Sequence, residues 1–92
     1  MIKKAYEKPR EVEYIEFKGR ENFKEVGEFI EERVYLITNV EGQERLMRKV
    51  AKDDVSYPIG TIFYKYFDEE IYDYAIKVSN KESFFDNYGE IN

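Results

Sequence analysis

Two runs rich in aromatic and β-branched residues, Thr61–Phe67 and Ile71–Val78, stand only three acidic residues apart, with Asp68, Glu69 and Glu70 between them. Runs of this make-up favour extended backbone, and a polar break this short brings them back against each other as a β-hairpin. The stretch from Tyr57 to Val78 holds five of the nine tyrosines. It is therefore the expected source of both core surface and any exposed aromatic patch. Strand parity places Ile62, Tyr64 and Tyr66 on one face of the first strand and Phe63 and Phe67 on the other. On the second strand it groups Tyr72, Tyr74, Ile76 and Val78 against Asp73 and Lys77. Large residues on both faces mean that one face must cover something besides the main core, whether the N-terminal helix, a loop or a partner.

The rest of the chain supplies elements to pack on this hairpin. Met1–Arg10 is basic, and Pro9 suits the start of an edge strand. Glu11–Phe17 alternates and reads as the first strand. Lys18–Glu21 makes a turn, after which Asn22 and Glu25 have capping-box spacing ahead of a helix over Phe23–Glu32. Phe23, Val26, Phe29 and Ile30 share one face of that helix. Gly27 costs it about 1 kcal/mol relative to alanine, so it needs tertiary packing to persist. Arg33–Thr38 is a nearly continuous apolar run and reads as a buried strand; Glu44–Val50 reads as a strand pairing back across Gly42. Val55–Tyr57 is a short extended piece, and Pro58-Ile59-Gly60 turns the chain into the central hairpin. Ser79 and Glu82 repeat the capping-box spacing before Phe84, Phe85 and Tyr88, with Gly89 placed as a C-cap.

The fold expected is α+β in a single domain, residues 1–92. It has a mostly antiparallel, twisted sheet of four or five strands, one helix packed on a face and a short C-terminal helical turn. Val12, Ile15, Phe17, Phe29, Ile30, Leu36 and Ile76 are the expected core.

Composition removes most chemistry. With neither cysteine nor histidine, the chain has no disulfide, no thiol nucleophile, no catalytic triad of the usual kind and no ordinary zinc site. No glycine-rich phosphate loop is present, so no enzyme activity and no cofactor are expected. Twenty acids against fifteen bases disfavour direct binding to nucleic acid, whose affinity comes mostly from neutralising cations. No apolar run reaches membrane-span or signal-peptide length, which points to a cytoplasmic protein with no membrane partner.

Lys8-Pro9, Glu11-Val12-Glu13 and Ile15-Glu16-Phe17 form a strand signature, followed by Gly19, Asn22 and Glu28-Phe29-Ile30. This pattern resembles small proteins encoded by phages and prophages of Gram-positive bacteria. Glu41-Gly42 and Phe84-Phe85 with Tyr88 look similar to later features of those proteins. Pro58-Ile59-Gly60-Thr61 stands where they carry a Pro-Gly-Asp-Tyr turn. The resemblance implies a phage origin and a small α+β fold, and it supplies no catalytic residues.

The candidate binding residues are Tyr64, Tyr66, Tyr72 and Tyr74 together with Asp68, Glu69, Glu70 and Asp73. Tyrosine is enriched at interface hot spots, and a ring of carboxylates suits a basic partner. The same carboxylates read more simply as a solvated hairpin tip than as a divalent-cation site. The function expected is that of a phage-encoded accessory protein that binds and blocks a host defence protein with a basic surface. A homodimer is compatible with that reading. A second reading has a tyrosine-lined cleft with Lys65, Lys77 or Arg48 sequestering a nucleotide signal. A third is a structural role in virion assembly.

Overall fold

The computed structural model describes residues 12–88. The expectations for Met1–Arg10, for Glu11 at the head of the first strand and for the Gly89 cap lie outside the described residues. The fold is α+β, with six strands and two helices: β1 (Glu13–Glu16), α1 (Phe23–Ile30), β2 (Val34–Thr38), β3 (Glu44–Val50), β4 (Asp53–Pro58), β5 (Ile62–Asp68), β6 (Asp73–Ser79) and α2 (Lys81–Asn87). A single 3-10 turn, Gly19–Glu21, precedes α1. The strands form two antiparallel three-stranded sheets. One is a meander in the order β2-β3-β4; the other, the hairpin sheet, has the order β1-β5-β6. Val55–Tyr57 is thus the middle of a full strand, which is why the strands exceed the expected four or five and divide into two sheets.

The sheets meet across one core. Phe17, Val26, Ile30, Leu46 and Phe63 are buried together, with Ile15, Phe29, Leu36, Tyr57, Ile76 and Val78 packed around them. Val12 is half-buried instead of central, while Leu46, Ile62, Phe63 and Phe84 join the buried set. The link between the sheets is the turn Pro58–Thr61. Gly60 takes a φ of 98°, which favours glycine, and the Thr61 amide donates to the Pro58 carbonyl at 3.3 Å. Gly60 N–H donates to Phe17 O at 2.8 Å and Phe17 N–H to Thr61 O at 2.9 Å, so the turn is clipped to the end of the first strand.

The face of the hairpin sheet away from the core is covered by α2. Tyr14 and Tyr64, cross-strand partners on β1 and β5, both pack on Phe84, at 4.9 and 5.1 Å between ring centres. Tyr88 stacks on Phe84 at 4.9 Å. This helix is what the two-faced aromatic pattern of β5 required. Its cap is Asn80, whose Oδ1 accepts from Ser83 N–H at 2.7 Å. The expected Ser79–Glu82 box is therefore one residue out of register, since Ser79 still belongs to β6. Asn22 does occupy the cap position of α1, but its side chain faces back: Oδ1 accepts from Lys18 N–H and Nδ2 donates to Glu16 O, each at 2.7 Å.

The strand expected to be buried, β2, is open on one side. Val34 and Leu36 face the core, whereas Tyr35 is 49% exposed. Tyr35 lies opposite Met47 and Ile37 opposite Arg45, so these four share the outer face of the meander.

Helix α1 ends with Glu31 in the left-handed region at a φ of 57°, and Glu32 N–H donates to Gly27 O at 3.1 Å. Gly27 itself lies against β2: a Cβ there would come within 2.8 Å of Val34 Cγ2 and 3.2 Å of Glu32 O. Two substitutions in this helix should therefore move stability in opposite directions, read by urea denaturation. Gly27→Ala should lose about 1–3 kcal/mol through overpacking despite better helix propensity. Glu31→Gly should gain about 0.5–1 kcal/mol by relieving the left-handed conformation, net of glycine's greater unfolded-state freedom.

Candidate functional site

The strands β5 and β6 pair from Ile62↔Ser79 at the base to Asp68↔Asp73 at the far end. The connecting loop is Glu69–Tyr72, four residues rather than three, because Ile71 and Tyr72 belong to the turn and not to the second strand. Two carboxylates directly opposite each other disfavour pairing by a few tenths of a kcal/mol. Here both turn to backbone: Asp68 Oδ1 accepts from Glu70 N–H at 3.0 Å, and Asp73 Oδ1 from Tyr74 N–H at 2.7 Å. The loop closes with Tyr72 at a φ of 54°, a conformation that bulky side chains seldom adopt.

The four candidate tyrosines do not form one cluster. Phe67 is the cross-strand partner of Tyr74, and its ring meets Tyr72 at 5.3 Å and Tyr74 at 5.4 Å, both edge-to-face. Tyr72 is 83% exposed, Tyr74 66% and Ile71 63%. With Asp68, Glu69, Glu70 and Asp73 they make an acidic-aromatic tip. Tyr66 faces the other way and lies half-buried under Lys77, whose Nζ sits 4.6 Å from the ring centre. A shallow depression of about 350 Å³ lies along Tyr66–Glu70. Tyr64 is remote in role: it belongs to the α2 contact, packed on Phe84 and Tyr88. Phe67 and Ile71 are the tip residues that sequence reasoning left out. The parity of Phe67 with Tyr74 would have found the first, had the loop length been known.

The cations expected to serve a nucleotide cleft are engaged within the fold. Lys65 Nζ lies 4.5 Å from the Phe29 ring centre, and Lys77 covers Tyr66. Arg48 Nε donates to Tyr57 Oη at 3.1 Å, its Nη1 donates to Glu32 Oε2 at 2.6 Å, and its guanidinium lies 5.5 Å from the Tyr57 ring centre. Burial alone would lower the Arg48 pKa, but the hydrogen bonds to Tyr57 and Glu32 more than offset it and raise it. Among the described residues, no group of three or more acidic, histidine or cysteine side chains converges to hold a metal ion. No described helix is long and apolar enough to cross a membrane.

Burial raises the Tyr64 pKa above its ordinary value, with Tyr88 and Tyr66 adding to the shift and Lys77 opposing it. A phenol whose folded pKa lies above the unfolded one near 10 binds its proton better in the native state, so stability is lost as pH rises past that value. Tyr64→Phe should therefore flatten the alkaline fall in stability, measured by urea denaturation between about pH 9 and 11.

No protein-family model matches the chain, and neither does any curated protein or solved structure.

Proposed function

We propose that this chain is a non-enzymatic, phage-encoded accessory protein that binds and blocks a basic surface of a host defence protein through the tip of its β5–β6 hairpin. The observation that carries the reading is the pairing of three exposed apolar side chains, Ile71, Tyr72 and Tyr74, with four carboxylates within one six-residue stretch, Asp68–Asp73, and its neighbour. Solvent-exposed tyrosines contribute large contact area at low conformational cost, and a surrounding acidic rim steers a basic partner and fixes its orientation. Blocking requires only occupancy, so the missing catalytic chemistry is no obstacle. The phage-like strand signature at Lys8–Phe17 supports a host protein as the target.

The test is capture of a partner from a Gram-positive host lysate, followed by titration with tip variants. Tyr72→Asn combined with Tyr74→Ser should weaken binding by about 2 kcal/mol or more, roughly thirtyfold. Asparagine tolerates the left-handed conformation at position 72, so the melting temperature should hold or rise. Affinity should also fall as salt is raised from about 50 to about 500 mM. A partner whose affinity ignores both the substitutions and the salt would refute the reading.

A further inference from the structure

We infer that the chain associates with itself head to tail, the acidic-aromatic tip of one copy seating on the outer face of the β2-β3-β4 meander of another. That face is the electrostatic complement of the tip. Arg33 leads into β2 on the side of Tyr35; Arg45, Met47 and Lys49 alternate along β3; Ser56 lies opposite Met47. Arg33 and Lys49 are exposed and make no ion pair or side-chain hydrogen bond among the described residues. Arg45 is pinned, its Nε donating to Ser56 Oγ at 3.0 Å and its Nη2 to Ser56 O at 3.2 Å, which fixes the guanidinium plane along the face. Between the cations sits a hollow of about 400 Å³ lined by Arg33, Tyr35, Met47, Lys49 and Asp54, and by Arg48. Asp54, cross-strand from Lys49, is the one carboxylate in that lining.

The tip offers the opposite signs and a matching apolar centre: Glu70 and Asp73 flank Ile71 and Tyr72, which would meet Tyr35, Ile37 and Met47. Within one molecule the two surfaces cannot serve each other. The outer face looks away from the core that the meander shares with the hairpin sheet, and no ion pair joins Arg33, Arg45 or Lys49 to the tip. A second copy supplies the contact. The interface is heterologous, so it generates rings or open chains and not a closed two-fold dimer. A hairpin end buries little area, which places the association among weak, transient contacts of under about 1,200 Å² in total. This inference rests on the tip as a binding surface. Self-association would then hide the tip from its target at high concentration.

Sedimentation velocity over a wide concentration series tests it with a charge swap. The wild-type average mass should climb with concentration at about 50 mM salt and fall back to the monomer at about 500 mM. Glu70→Lys with Asp73→Lys reverses the tip; Arg33→Glu with Lys49→Glu reverses the face. Each double variant alone should stay monomeric, and an equimolar mixture of the two should associate again, because a basic tip then meets an acidic face. Restored association also certifies that both variants are folded. A wild-type chain that stays monomeric throughout, or reversed variants that fail to associate when mixed, would overturn the inference. The face variant keeps an intact tip, so its binding to a host partner should be unchanged, and loss of self-association is thereby separable from loss of the proposed function.

Discussion

The contact of Phe63 with Tyr57 is the constraint on which the architecture turns. Each sheet is three strands wide with one apolar face, and such a face must be covered before the sheet is stable. Phe63, fully buried on the central strand of the hairpin sheet, meets Tyr57 of the meander edge-to-face at 5.2 Å. It also pairs across β1 with Ile15 and across β6 with Val78, so a single ring ties three strands to the second sheet. Burying such a side chain is worth about 1.5–3 kcal/mol before the aromatic geometry adds to it. Arg48 closes the seam from the meander side, its guanidinium 5.9 Å from the Phe63 ring centre. The core is therefore concentrated at the base of the hairpin, around residues 62–65 and 76–79. The far end, residues 67–74, is left without a structural duty to the core.

Much of this could be read from the chain because parity and period are local. The alternation in Tyr14–Phe17, the helical face of Phe23, Val26, Phe29 and Ile30, and the run of Glu44–Val50 each report on their own backbone. What could not be read was set by partners distant in sequence. The run Arg33–Thr38 looks buried because it is apolar, yet only its Val34 and Leu36 side meets α1 and the core. Capping spacing recurs at Ser79 and Asn80 alike, and the length of β6 decides between them. Gly27 looks like a defect in a helix until the approach of Val34 supplies its reason. The candidate site suffered from the same limit. Four tyrosines at alternating positions pointed to one patch, but α2 claims Tyr64, and a four-residue loop moves Tyr72 out of the strand.

The formal charge of −5 conceals a separation of sign. Carboxylates gather at one end of the hairpin sheet, while Arg33, Arg45 and Lys49 share the outer side of the meander. Net charge governs solubility and long-range steering, but recognition depends on where the charges sit. A chain that reads as uniformly acidic in composition thus has one surface suited to a basic partner and another suited to an acidic one.

The conformation of the tip bears on how well it could bind. Tyr72 in the left-handed region and Asp68 opposite Asp73 both work against the loop, together by about 1–3 kcal/mol. The opposing contribution is Phe67, whose ring holds Tyr72 and Tyr74 edge-on at nearly equal distances, each such pair being worth about 0.5–1.5 kcal/mol. The two exposed rings are therefore braced on a third before any partner arrives. Side chains already held in place lose less freedom on binding, and that loss is among the larger costs a small interface must overcome. A loop selected for stability alone would carry glycine or asparagine at position 72. Tyrosine there, clamped by Phe67, trades a little local stability for a rigid apolar point set among carboxylates.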